Sequence, residues 1–217
     1  MSVKENEVKE NEIKENEIQE NQTKEIQMKE NKTKENAAKV IGIKKLDEKA
    51  FAKYGQFQNL LDDEALAARS IFPYGFFADV VKLDLGNTTL PTVSVCQAKK
   101  QEEKRITMLE AHQFTCEGLL PLDDDVVIFV GTPLPGRKFS VDTVEAFHVP
   151  QGTFVRLDPM ILHGAQFAVN REIAHVACFL PGRTFKNDML AEFLPEEGQA
   201  VLADEQEGHG GGYETDF

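Results

Sequence analysis

The chain contains five histidines, His112, His148, His163, His175 and His209. Imidazole and carboxylate are the groups that move protons near neutral pH and that hold first-row divalent metals. Their spacing therefore carries the first functional information. In the run Arg105–His112, strand alternation puts Ile106, Met108, Glu110 and His112 on one face, with Thr107, Leu109 and Ala111 on the other. The first face is apolar until it ends in a carboxylate and an imidazole, which is how a strand reads when it leaves a core at the mouth of a barrel. Glu117 follows His112 after a gap of four residues. Farther on, Pro150-Gln151-Gly152 reads as a turn, and His163 falls on the next strand but one. His175 alternates with Ile173, Ala177 and Phe179, a pattern that fits a core histidine as well as a pocket base. His148 adjoins the Val149-Pro150 turn at the surface, and His209 lies in a Gly-rich stretch and is set aside.

The elements that must position these residues are mostly short strands. Val93–Gln97, Arg105–His112, Gly118–Leu120, Val126–Gly131, Glu145–Val149, Thr153–Leu157, Ile161–Phe167 and Ile173–Phe179 are rich in Val, Ile, Phe and Thr. Asp, Gly and Pro clusters separate them, so an antiparallel sandwich or barrel is expected. Two short helices precede the strands. One follows an N-cap at Asp47 and stops at Gly55; the other spans Asp63–Ser70.

Composition divides the 217 residues into three parts. Residues 3–37 are seven pentads of the type VKENE, and residues 1–37 are expected to form a solvated, transiently helical tail. One apolar residue per pentad spirals around a helix and flips faces along a strand, so it makes no core. Residues 38–194 form the compact unit, and residues 195–217 read as an acidic, Gly-rich tail. The net charge of −13 opposes binding to nucleic-acid backbone and to anionic membrane surfaces. The N-terminus is too charged for a signal peptide, and no apolar run approaches the length that spans a bilayer. Cys96, Cys116 and Cys178 are odd in number and share no C-x-x-C spacing, as expected for reduced thiols in a cytoplasmic protein. Neither nucleotide-binding glycine fingerprint occurs.

Glu110, His112 and Glu117, followed by Pro150, Gly152 and His163, resemble the two motifs of the cupin superfamily. Within it, three segments resemble the ureidoglycolate lyase family. Leu46-Asp47-Glu48-Lys49-Ala50-Phe51-Ala52-Lys53-Tyr54-Gly55 is similar to its E-A-F-x-x-Y-G opening, and Leu109-Glu110-Ala111-His112-Gln113 to its L-E-R-H-P signature. The strands around Leu119-Leu120-Pro121-Leu122, and the stretch from Ala146-Phe147 to His163, follow in the same order. Residues 43–182 carry the resemblance. The sequence departs from the family at three places. Leu162-His163 replaces a histidine pair, Ala111 and Gln113 replace Arg and Pro, and Cys96-Gln97-Ala98 stands where the family has Asn-Arg-Ala.

The resemblance implies a mainly β, cupin-like antiparallel double-stranded β-helix, or jelly-roll barrel, with a few short helices. It implies one divalent metal ion, nickel, manganese, iron or zinc, on Glu110, His112, Glu117 and His163. The implied reaction is cleavage of ureidoglycolate, or a similar α-hydroxy carboxylate, to glyoxylate and urea. Glu110, His112 and His163 would be the catalytic groups, with either histidine as base. Lys99, Arg105, Arg156 and His175 are the expected substrate contacts, the cations standing in for the absent arginine. A cupin that binds or isomerises a sugar or sugar acid is the alternative. The expected partners are a small-molecule substrate and a second copy of the chain, since barrels of this kind pair sheet edges about a two-fold axis.

Overall fold

The computed structural model describes residues 38–69, 75–86 and 90–204; the pentads and His209 lie outside them. The described residues from Lys39 to Asp204 form a two-layered β structure. One layer has the strand order β2 (Gly55–Asn59), β9 (Thr153–Leu157), β6 (Glu117–Pro121), β11 (Ile173–Pro181) and β3 (Pro91–Lys99). A single parallel bridge, Phe167 to Lys99, turns the corner from β3 to β10 (Phe167–Ala168). The second layer continues through β7 (Val126–Val130) and β8 (Glu145–Val149). It then curls through β1 (Lys39–Lys45), β13 (Ala200–Asp204) and β4 (Lys104–Ile106). β5 (Met108–His112) pairs with β12 (Met189–Phe193), and two bridges, Glu110 to His163 and Gly131 to Leu162, join that pair to the end of β7. This is the expected mainly β, cupin-like jelly roll. Its helices are short: α1 (Glu48–Phe51), α2 (Asp63–Arg69) and α3 (Thr184–Asn187).

Strand parity makes two cores. Leu119, Val126, Ile128, Val155 and Val176 meet between the layers, while Val127, Phe129, Ala146, Ile43 and Leu202 pack on the far side of β7 and β8. β7 is buried along its whole length because it has a core on both faces, which is why its sequence is an unbroken apolar run. Asp47 caps α1 as expected, accepting from the Ala50 N–H at 2.9 Å. Tyr54, 1% exposed, donates to Glu145 at 2.7 Å, and Glu145 also pairs with Lys44 and Lys53.

Several expected boundaries move. Arg105–His112 is broken at Thr107 into β4 and β5, because β4 pairs with β13 and β5 with β12. Ile161–Phe167 is not one strand; isolated bridges at Leu162 and His163 are followed by β10. Gly55 opens β2 at φ 148°, its Cα lying so close to the Arg156 carbonyl that a Cβ would sit 1.9 Å from the oxygen. The segment read as a tail from residue 195 enters the fold instead. Ala200 and Leu202 are buried where β13 inserts between β1 and β4.

Candidate functional site

β5 carries Glu110 and His112. Leu109 and Ala111, fully buried, take the outer core, so parity turns the two polar side chains toward the space between the layers. A tight turn then leads into β6, which begins with Glu117 on the same parity as the core residue Leu119. Asp188 holds that turn, accepting from Gln113 N at 2.8 Å and Phe114 N at 3.0 Å. His163 faces Glu110 across a bridge with both backbone hydrogen bonds made, at 2.8 and 2.9 Å. Leu162 beside it enters the outer core, which leaves His163 facing inward.

The result is a buried cluster. One ligand atom from each of His112, Glu117 and His163 lies within 4.8 Å of the other two. His163 Nε2 is 2.8 Å from Glu117 Oε2 and 3.7 Å from Glu110 Oε1, and His112 Nε2 is 3.6 Å from Glu117 Oε2. His163 Nδ1 donates to the Ile161 carbonyl at 2.8 Å, which directs Nε2 at the carboxylate. Although Nε2 and Oε2 are close, the pair is not aligned as a hydrogen bond, so both buried atoms lack a hydrogen-bonding partner. Burial pushes the Glu117 carboxyl up, but His163 and His112 outweigh it and hold the group at about 2. Burial pushes His163 down, and Glu117, with Glu110 behind it, raises it instead to about 9. The donor set passes the test for a metal. Two imidazoles and a carboxylate suit a first-row divalent ion, and orphaned buried atoms converging on one point are what ligation would satisfy.

Residues 38–201 match the family model described as ureidoglycolate lyase. The chain belongs to the ureidoglycolate lyase family. No curated protein matches it. Solved structures that match include a dTDP sugar isomerase from Desulfovibrio desulfuricans G20, at 10% identity and a TM-score of 0.36, covering 51% of this chain and 68% of that one. Among the described residues no helix is long and apolar enough to cross a membrane.

The structure therefore brings together the four residues expected to hold a metal, with Glu110 at the edge of the group. It does not bring the expected substrate contacts to them. Lys99, Arg156 and His175 each alternate with inward-facing residues (Ala98, Val155 and Leu157, Ala174 and Val176), so parity turns all three outward. Arg156 binds Asp158 and the Lys82 carbonyl, and His175 binds Asp123 at 2.8 Å. Arg105 lies on β4 and pairs with Glu103 at 2.6 Å. His148 pairs with Asp125 at 3.2 Å, in keeping with its surface reading. Sequence reasoning passed over Cys96 and Cys178 as site features. Their parity, shared with Ala98 and Val176, turns both thiols toward the inner core, where burial and the nearby Glu117 raise the Cys178 thiol to about 12. That alternation was the available signal. Nothing in the sequence pointed to Asp188.

Proposed function

We propose that the chain is a lyase that cleaves ureidoglycolate to glyoxylate and urea by general acid–base elimination. The observation that carries this reading is the buried Glu117–His163 pair, with His112 and Glu110 beside it, inside a barrel of the ureidoglycolate lyase family. Ureidoglycolate is a carbinolamide. Its C–N bond breaks when the hydroxyl loses a proton and the urea nitrogen gains one, so the reaction needs a proton carrier and a cation for the carboxylate. Glu110 is the carrier. Its carboxylate is the one group of the four with appreciable exposure, at 16%, and its Oε1 adjoins His163 Nε2. It takes the hydroxyl proton and passes it to the departing nitrogen as the carbonyl of glyoxylate forms. His163, held protonated by Glu117, places its positive charge behind Glu110, 3.7 Å from Oε1, where it offsets the approaching substrate carboxylate in place of the family's arginine. This replaces the expected role of His163 as base, because an imidazole raised to about 9 holds its proton at neutral pH. His112 Nε2 orients the hydroxyl.

If a metal is bound, His112, Glu117 and His163 would hold it, with Glu110 adjacent. Nickel, manganese, iron or zinc would then polarise the hydroxyl and carboxylate oxygens. Glu110 remains the proton carrier in either state. The free thiols of Cys96, Cys116 and Cys178 support a reducing, cytoplasmic setting for the enzyme.

Glyoxylate release, followed with a coupled reductase, tests the reading. Glu110→Gln should lower turnover by roughly 10²-fold or more, as loss of a positioned proton carrier does. Glyoxylate formation no faster than in buffer, with and without added divalent metal, would remove the lyase assignment. A thermal-shift titration with sugar acids would then test the binding-barrel alternative.

A further inference from the structure

A pocket of about 330 Å³ lies beside the corner where β3 meets β10, and none of Glu110, His112, Glu117 and His163 lines it. Its floor is Phe129 and Phe167, which belong to the outer core and so face away from the cluster between the layers. Phe193, 80% exposed, stands at its edge as a bare aromatic face. The charge of the lining is opposite to that of the chain. The sequence has 37 acidic residues against 24 basic ones, yet among the described residues Lys99 and Arg105 line the pocket and no carboxylate does. Arg105 is engaged by Glu103, which leaves Lys99 as the cation open to a ligand.

An independent observation comes from Gln166. The residue lines the pocket and is 6% exposed. Its Nε2 donates to the Gly164 carbonyl at 3.3 Å, while its Oε1 is buried without a partner. A buried amide oxygen in that state gains from any donor that a turn of the side chain brings within its reach.

We propose that this pocket binds a small planar anion carrying a hydrogen-bond donor, an aromatic or heteroaromatic carboxylate with a ring N–H or O–H. The ring would lie against Phe167 and Phe193 and the carboxylate on Lys99, with the donor meeting Gln166 Oε1 once the amide turns toward the pocket. The volume is within the range of small-ligand sites. A flat ring gains from the aromatic walls, and a charge-assisted contact sets its orientation.

The test uses indole-2-carboxylate, which has all three features, and its uncharged analogue indole-2-carboxamide. The full chain has no Trp, so indole fluorescence anisotropy reports the probe alone. For a ligand of this size the expected dissociation constant is in the low-millimolar range. Amide NMR shifts of Lys99, Gln166, Phe167 and Phe193 should saturate with the same constant. The carboxamide should bind about tenfold more weakly, and Lys99→Gln should weaken the carboxylate by about the same factor. Lys99 and Phe193 are both exposed, so Lys99→Gln and Phe193→Ala test the site without burial changes. Equal binding of acid and amide would reduce the pocket to apolar adhesion and overturn the proposal. So would the absence of saturation, or shifts centred on His112 and His163. His163→Ala should leave probe binding unchanged, so this outcome and loss of lyase turnover are read separately.

Discussion

Replacing Glu117 by Gln changes how stability depends on pH, and the direction follows from the buried pair. His163 is raised from 6.5 to about 9, with its side chain 5% exposed, so it contributes stability that is complete below 6.5 and is lost as pH climbs through 9. Glu117 is lowered from 4.5 to about 2, so its contribution is present above 4.5 and is lost as pH falls through 2. The metal-free pair is therefore worth most between 4.5 and 6.5. The rise of His163 corresponds to roughly 3 kcal/mol of preference for the charged ring. In Glu117→Gln the main charge opposing burial is gone, and the imidazole titrates lower. Between pH 6.5 and 9 the wild type should lose roughly 3 kcal/mol that the variant does not, and the gap between them should shrink by that amount. Below that window the variant should be less stable by about 3–5 kcal/mol, the cost of leaving one member of a buried pair alone. Urea unfolding at a series of pH values, with chelator present throughout, measures both. Two stability curves that stay parallel from pH 6 to pH 9.5 would refute the claim that Glu117 sets the protonation of His163.

Other outcomes follow from the same geometry. If zinc or nickel binds at His112, Glu117 and His163, near-neutral loading should release about one proton per ion, because His163 must give up its Nε2 proton; calorimetry in buffers of different ionisation enthalpy counts it. His163→Ala should lower metal content by elemental analysis with the circular dichroism unchanged, and equal metal in both proteins would place the ion elsewhere. Gly55→Ala should destabilise the protein by several kcal/mol and lower its melting temperature, since the new methyl meets the Arg156 carbonyl at 1.9 Å; an unchanged melting temperature would mean that β2 can move away from β9. One edge of β3 has no strand partner from Thr92 to Ala98 among the described residues, and Val93 and Val95 are exposed on it. Sedimentation should accordingly give twice 24.3 kDa for the wild type and a single-chain mass for Val95→Lys.

Much of this was legible in the residues themselves. Glu110 and His112 share a face because side chains on a strand alternate, and no tertiary information is needed to see it. The same rule placed β8 and β9 at Glu145–Val149 and Thr153–Leu157, since Pro, Gly and Asp bracket both runs. The L-E-x-H strand and the A-F-x-x-Y-G part of the opening led to the family that residues 38–201 match. The structure added β1, β2, β12 and β13, which are partly exposed and take their strand form from the partners beside them. Ala200–Asp204 is short and set between acidic residues, so it reads as part of a tail, yet β1 and β4 close around it.

What the sequence determined by itself is which atoms are available and which way each points from its own strand. Imidazole and carboxylate at positions 110, 112, 117 and 163, alternating against apolar neighbours, follow from local geometry alone. Which strands stand opposite one another depends on pairing between residues far apart in the chain, and that only the tertiary structure decided. The break at Thr107, the bridge from Glu110 to His163 and the curl of the second layer put four side chains from three segments around one point. The same long-range pairing sent Lys99, Arg156 and His175 outward. Their cationic and imidazole groups had made them plausible substrate contacts, but a strand has two faces, and the inner one was already filled by Ala98, Val155 and Val176.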